Sequence, residues 1–299
     1  MLKKIKIIIF ALLAMLFWGS SFVWFKEVYV YYKPVTVTVA RLSISYFLLL
    51  IWAKSTNKYE IIKKEDLKSI MLLAFAEPFC YFIGESFGMQ FVSPTLGAII
   101  ISTIPLITPF FAYFILKERI TLWTIGGLIL SFYGVIIIVS QNSIGEISFL
   151  GIGLMFFAVI SGTLYGIFLK RVIDKYSAVT IVRYQNFFGF LYFLPLFLFI
   201  ELDDFLAVPF SWQAIEPIFK LAIFGSTLAF ILFTQVIRNI GLSIANLYAN
   251  FIPVFTTIVA YFVLEEPITS RKLLGISIVI SGLLLSQTHT FFKIRKVDN

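Results

Sequence analysis

Charge is scarce in this chain. Only 13% of its 299 residues are Asp, Glu, Lys or Arg, against roughly 25% in an ordinary soluble domain. A water-facing surface of this size needs more polar cover than that, whereas a lipid-facing one needs none. Cysteine and histidine occur once each, as Cys80 and His289. A lone cysteine forms no internal disulfide, and no Cys/His cluster exists to hold zinc or iron–sulfur, so neither metal nor cofactor is expected. Ser/His/Asp or Cys/His catalysis would lack a central imidazole, because His289 sits beside a basic tail. A carboxylate- or lysine-based enzyme is the residual alternative. No GxxxxGK[ST] phosphate loop occurs, which argues against direct ATP hydrolysis. The net charge of +8 comes from basic residues set between apolar runs, not from a stripe with interleaved aromatics, so no nucleic-acid partner is expected.

What the chain has is apolar length: 60% of it is hydrophobic and 18% aromatic. About 20 apolar helical residues cross a hydrocarbon core of about 30 Å. The segments 7–25, 120–145, 147–169 and 239–264 carry no charge at all. The uncharged run 86–116 is too long for one crossing and splits at Ser93-Pro94. Charge clusters and Gly/Pro signals divide the rest, predicting ten transmembrane helices over about 6–25, 34–53, 67–91, 94–116, 121–140, 149–169, 178–200, 214–237, 243–264 and 271–290. The fold class expected is therefore all-α and integral to the membrane, with the lipid bilayer as a partner. Lys3, Lys4 and Lys6 open the first segment in the manner of a signal peptide, but no small-residue cleavage site follows, so it reads as a retained helix. With the amino end inside, the clusters at 3–6, 54–68, 117–119, 170–175, 238 and 293–296 all fall on the cytoplasmic side, which predicts both termini there.

An internal repeat gives this list of spans its architecture. Residues 104–121, IPLITPFFAYFILKERIT, align without gaps on residues 252–269, IPVFTTIVAYFVLEEPIT, with ten identities. The register continues through Gly127 with Gly275 and Gly134 with Gly282, and weaker matches pair Gly19 with Gly162 and Val-Thr before Arg41 with Val-Thr before Arg183. Each half, 6–140 and 149–290, then holds five helices. An odd number inserts the second half upside down, so the halves form an inverted repeat, an arrangement characteristic of secondary transporters. Common ancestry without transport is the plainer alternative, as in some channels and membrane enzymes.

At these residues the chain resembles the EamA family of the drug/metabolite transporter superfamily. The resemblance rests on WGSSF at 18–22, on Arg41, on the P…AYFxLxExIT pattern closing both fourth helices, and on the glycine pairs of the fifth and tenth. It implies ten helices in two EamA repeats and a permease or exporter, in a bacterial plasma membrane, of a small-molecule substrate such as an amino acid. A channel or a non-transporting membrane protein is the competing class; a carrier saturates and supports exchange, and a channel does not.

Few residues in the spans can carry chemistry. Glu77 and Glu85 lie deep in the third helix, where a carboxylate costs about 2.5–3.5 kcal/mol on insertion scales and should face protein or water. Eight residues rotate about 80° round a helix, so Glu77, Tyr81, Gly84, Glu85 and Gly88 share one broad face, a candidate cavity wall. Either glutamate is a candidate for a coupled proton or for a substrate amino group; a structural pairing of Glu77 beside Pro78 is the alternative. Arg41 and Arg183 hold equivalent places in the second helices and are candidate anion ligands, with snorkelling or structural pairing favoured. Asn246 and Asn250 lie one turn apart where the first repeat has Ala98 and Ser102, and they read either as cavity groups or as interhelical glue, as do Gln185 and Asn186. Trp18 and Tyr165 are candidates for an apolar lining, and the repeat partners Pro105 and Pro253 for a hinge.

Overall fold

The computed structural model describes residues 2–116, 122–139, 148–209 and 211–297. Lys117, Arg119 and the end of the first AYF motif lie outside them, as do the side chains of His289 and the basic carboxy-terminal tail. The described chain forms ten helical rods: helix 1 (Leu2–Val28), helix 2 (Pro34–Ser55), helix 3 (Lys64–Gly88), helix 4 (94–116), helix 5 (Leu122–Val139), helix 6 (Phe149–Leu169), helix 7 (Ala178–Leu196), helix 8 (Trp212–Ile240), helix 9 (242–264) and helix 10 (Ser270–Val297). Six of these are long and apolar enough to cross a membrane. The outer face of the bundle carries Leu122, Phe149, Phe199 and Phe262, each more than three-quarters exposed. A soluble protein would not leave such groups in water, so this face meets lipid.

Packing repeats when each helix number is raised by five. Helix 1 lies on helices 8 and 9, and helix 6 on helices 3 and 4; helix 2 lies on 7 and 8, and helix 7 on 2 and 3. Helices 5 and 10 pair with each other. There Gly134 and Gly275 abut at backbone distance, and Ser131 donates to the Val279 carbonyl at 3.1 Å. Small residues let helices in lipid approach this closely.

Four rods are interrupted, again in matched pairs. Helix 3 leaves helical geometry at Glu77 (φ −149°, ψ 120°), since a residue preceding proline avoids the helical region, and wide turns span Phe75–Cys80. Helix 8 has wide turns at the corresponding place, Leu221–Leu228. Helix 4 breaks at residues 102–103 and helix 9 passes through a tight turn at Tyr248–Phe251. Pro105 and Pro253 each occupy the second position of the segment that follows, Ile104–Leu116 and Ile252–Leu264. A missing N–H is harmless there, so each proline begins a helix rather than bending one. Helix 7, expected to run to residue 200, instead loosens at Phe197–Glu201 and ends in a short helix, Leu202–Ala207.

Helices 2 and 7 are fastened by two clamps, one at each end of the bundle. Pro34 opens helix 2, and the buried Glu201 accepts from the Val35 and Thr36 amides at 3.2 and 2.7 Å and from the Thr36 hydroxyl at 2.8 Å. Those amides are orphan donors of the first turn, so a carboxylate from far along the chain caps the helix. Beside it Lys33 pairs with Asp204 at 2.6 Å. At the other end Glu60 accepts from the Ser177 amide at 3.0 Å as helix 7 begins, and Lys175 pairs with Asp66 at 2.6 Å. Tyr176 adds a hydrogen bond to Asp66 at 2.8 Å. These hydrogen bonds to aspartate push the Lys33 and Lys175 ammonium groups above the usual lysine range, so both lysines keep their charge through neutral pH and give it up only in stronger alkali than a free lysine needs.

Candidate functional site

The interruptions of helices 3, 4 and 9 border a cavity between the two halves. It contains roughly 840 Å³ of space not filled by atoms, including its mouth, of which the centre of a water-sized sphere sweeps about 80 Å³. One water needs about 10–15 Å³ by the latter measure, so the space suits a handful of waters or one small solute. Helices 1 to 4 supply one side of the lining and helices 6, 8 and 9 the other.

The polar wall comes from helices 2 and 3. Glu77, Tyr81 and Glu85 all line the cavity, as their spacing predicts. Gly84 and Gly88 do not; they turn to helix 6, where a side-chain carbon at Gly84 would stand 2.5 Å from the Leu154 carbonyl and one at Gly88 2.9 Å from the Met155 sulfur. The glycines are packing surfaces because helix 6 needs close approach on that flank. Tyr81 donates to Glu85 at 3.0 Å, and Arg41 Nη1 stands 4.0 Å from the other Glu85 oxygen. Glu77 has no hydrogen bond or ion pair among the described residues; Glu85 and Arg41 are the charges that act on it.

Arg41 does not snorkel. It is 2% exposed, its Nε donates to Ser226 at 2.7 Å, and its guanidinium stacks 4.3 Å from the Phe82 ring centre and 5.2 Å from that of Phe25. Arg183 is equally buried but does not line the cavity. Its Nη2 donates to the Glu60 carbonyl, and the Tyr59 ring lies 4.3 Å away. Structural pairing therefore holds for Arg183, while Arg41 is both paired and part of the cavity wall.

Behind Arg41 runs a buried polar strut that sequence reasoning missed in part. Asn186 donates to Ser45 at 2.6 Å and to the Ser226 carbonyl at 3.1 Å, and the Ser45 and Thr227 hydroxyls are 2.5 Å apart. It ties helices 2, 7 and 8. Gly225 makes room for it, since a Cβ there would meet the Ser21 hydroxyl at 2.7 Å and Arg41 Nη2 at 3.1 Å. The Gly-Ser-Thr run at 225–227, small and polar within an apolar span, is the signal that could have marked it.

The second wall is aromatic. Trp18 meets Phe230 and Phe233 edge-on at 5.3 and 5.0 Å between ring centres, and Tyr165 meets Phe230 at 6.1 Å. Tyr165 also donates to Gln185 at 3.2 Å. Asn246 reaches the cavity; Asn250, one turn on, is buried and does not line it, nor do Pro105 and Pro253. The helix break at residues 248–251 turns Asn250 away from the face that Asn246 shares.

Comparison with known proteins follows the same outline. The family model for EamA-like transporters matches residues 5–140 and, a second time, 149–288. The chain is 28% identical to the uncharacterized transporter YyaM of Bacillus subtilis, over 95% of its own length and 94% of the other's. It is 25% identical to an uncharacterized transporter of Archaeoglobus fulgidus, over 91% and 95%. A protein of known crystal structure superposes over 97% of this chain and 98% of its own with a TM-score of 0.69 at 12% identity, a likeness of fold alone.

Proposed function

This chain belongs to the EamA-like transporter family, and from that premise we propose that it is a carrier which exports a small amphipathic metabolite, of amino-acid size, by alternating access. The two halves exchange conformations about the central cavity, and the bundle sits in the plasma membrane with both termini in the cytoplasm. The observation that carries this reading is the cavity itself, which lies between the repeats and sets a charged wall on helices 2 and 3 against an aromatic one on helices 1, 6 and 8. An amphipathic solute matches both walls at once. Interrupted helices on either side offer the places where one half can tilt against the other. Nothing in this arrangement calls for bond-making, so the chain is read as a transporter without enzymatic activity. A proton gradient is the proposed drive, with Glu77 or Glu85 as the group that exchanges the proton.

Flux in proteoliposomes loaded with candidate metabolites tests the reading. Uptake should saturate and accelerate when unlabelled solute is trapped on the far side; unsaturable flux without counterflow makes the chain a channel instead. Glu77→Gln and Glu85→Gln should each lower flux at undiminished membrane abundance. Wild-type pH-dependent flux in both variants removes these carboxylates from the pathway.

A further inference from the structure

We propose that the cavity selects a monovalent organic amine, an ammonium on an aromatic or branched apolar body, and rejects the zwitterion made by adding a carboxylate to the same skeleton. This deepens the transport reading above and rests on it for the cavity's purpose. The argument is an inventory of charge. Two carboxylates and one guanidinium line the cavity, and neither lysine nor histidine joins them among the described residues.

The guanidinium is covered rather than fully bonded. Arg41 gives its Nε–H to Ser226 and its faces to Phe82 and Phe25, and its remaining charge stands beside Glu85. Its Nη1 is buried with no hydrogen-bond partner among the described residues, 4.0 Å from Glu85. A ligand carboxylate therefore reaches this cation only by displacing Glu85 or the rings that cover it. Glu85 is likewise engaged, by Tyr81 and Arg41.

Glu77 is the group left over. It is 8% exposed, lines the cavity, and has no hydrogen bond or ion pair among the described residues. A carboxylate held in an apolar interior without a partner is costly, and the cost falls when a cation arrives. An ammonium therefore gains an ion pair at Glu77, whereas a carboxylate added to the ligand meets the negative charge of Glu77 and faces a guanidinium whose Nη1 is buried, which is discrimination by repulsion. Trp18, Tyr165, Phe230 and Phe233 complete the match, because aromatic faces take both an apolar body and a cation.

Tryptamine, tryptophan and indole-3-propionate share one ring system and differ in charge. Binding of each to the purified full chain in detergent, by calorimetry at neutral pH, is the test. Tryptamine should bind at least about tenfold more tightly than tryptophan, and indole-3-propionate more weakly still. Glu77→Gln should remove the preference, and Glu77→Asp, which keeps the charge, should retain it; the wild-type ranking needs no variant to fold. Equal or tighter binding of tryptophan overturns the proposal, as does an unchanged tryptamine affinity in Glu77→Gln. Because these measurements need no gradient, the two readings fail separately. Amine binding without flux in vesicles defeats transport alone, and saturable flux of another solute without amine binding defeats this selectivity alone.

Discussion

Arg41 and Arg183 hold the same place in the two halves of the chain and do different work. Each follows its clamp lysine by eight residues, Lys33 in one half and Lys175 in the other, and each is 2% exposed. Arg41 turns into the cavity, with Glu85 as counter-charge and Ser226 as a strut. Arg183 turns to the connection between helices 2 and 3, where it binds the Glu60 carbonyl and the Tyr59 ring. The neighbours decide the difference. Helix 3 brings Glu85 to Arg41, and among the described cavity-lining residues helix 8 presents Phe230, Phe233 and Ile237. Duplication thus preserved the scaffold while one repeat kept the charge, and the outcome is a cavity charged on one side only.

Replacing the two arginines in turn should break the comparison most visibly. Arg41→Ala leaves Glu85 buried without its cation, a loss of about 3–5 kcal/mol in stability, together with loss of flux. Arg183→Ala removes a hydrogen bond and a ring contact, about 1–2 kcal/mol, and should leave KM unchanged. Thermal melts and flux assays on both variants check this; equal damage would mean that the two sites are not distinct in role. The double variant Arg41→Met/Glu85→Leu sharpens it, since removing both charges should recover most of the stability that either single change forfeits.

A smaller effect is expected at glycine. Gly225→Ala pushes a Cβ against Ser21 and Arg41 and should cost about 1–3 kcal/mol with a raised KM. Gly153→Ala, on helix 6 with nothing within 4 Å, should be neutral or gain up to about 1 kcal/mol in the melt. The clamp at the head of helix 2 gives one modest difference and one that vanishes. Glu201→Ala should cost about 1–2 kcal/mol through the lost cap. Asp204→Asn, breaking an ion pair whose side chains are 56% and 48% exposed, should leave the melting temperature unmoved.

Part of the site was legible beforehand. Glu77, Tyr81 and Glu85 stand out as polar groups at helical spacing in an apolar span, and burial in lipid forces such groups inward. Trp18 and Tyr165 were named among many aromatics, and the structure places both in the cavity lining. Asn250 fell away because the break before Pro253 resets the helical phase, which an unbroken period of 3.6 residues cannot anticipate. Ser226 and Gly225 were missed because their importance lies in Arg41, 185 residues distant from Ser226 in sequence.

From sequence alone come the lipid environment, the helices and the doubled architecture, because hydropathy is summed locally and a repeat is a comparison of the chain with itself. Tertiary structure alone decided which arginine faces the cavity, which glutamate is left unpaired and which acids cap helices 2 and 7. Those choices depend on contacts between residues more than a hundred positions apart, such as Glu201 with Thr36 and Asp66 with Lys175. No local pattern encodes such a meeting, since it is set by how the two inverted bundles pack.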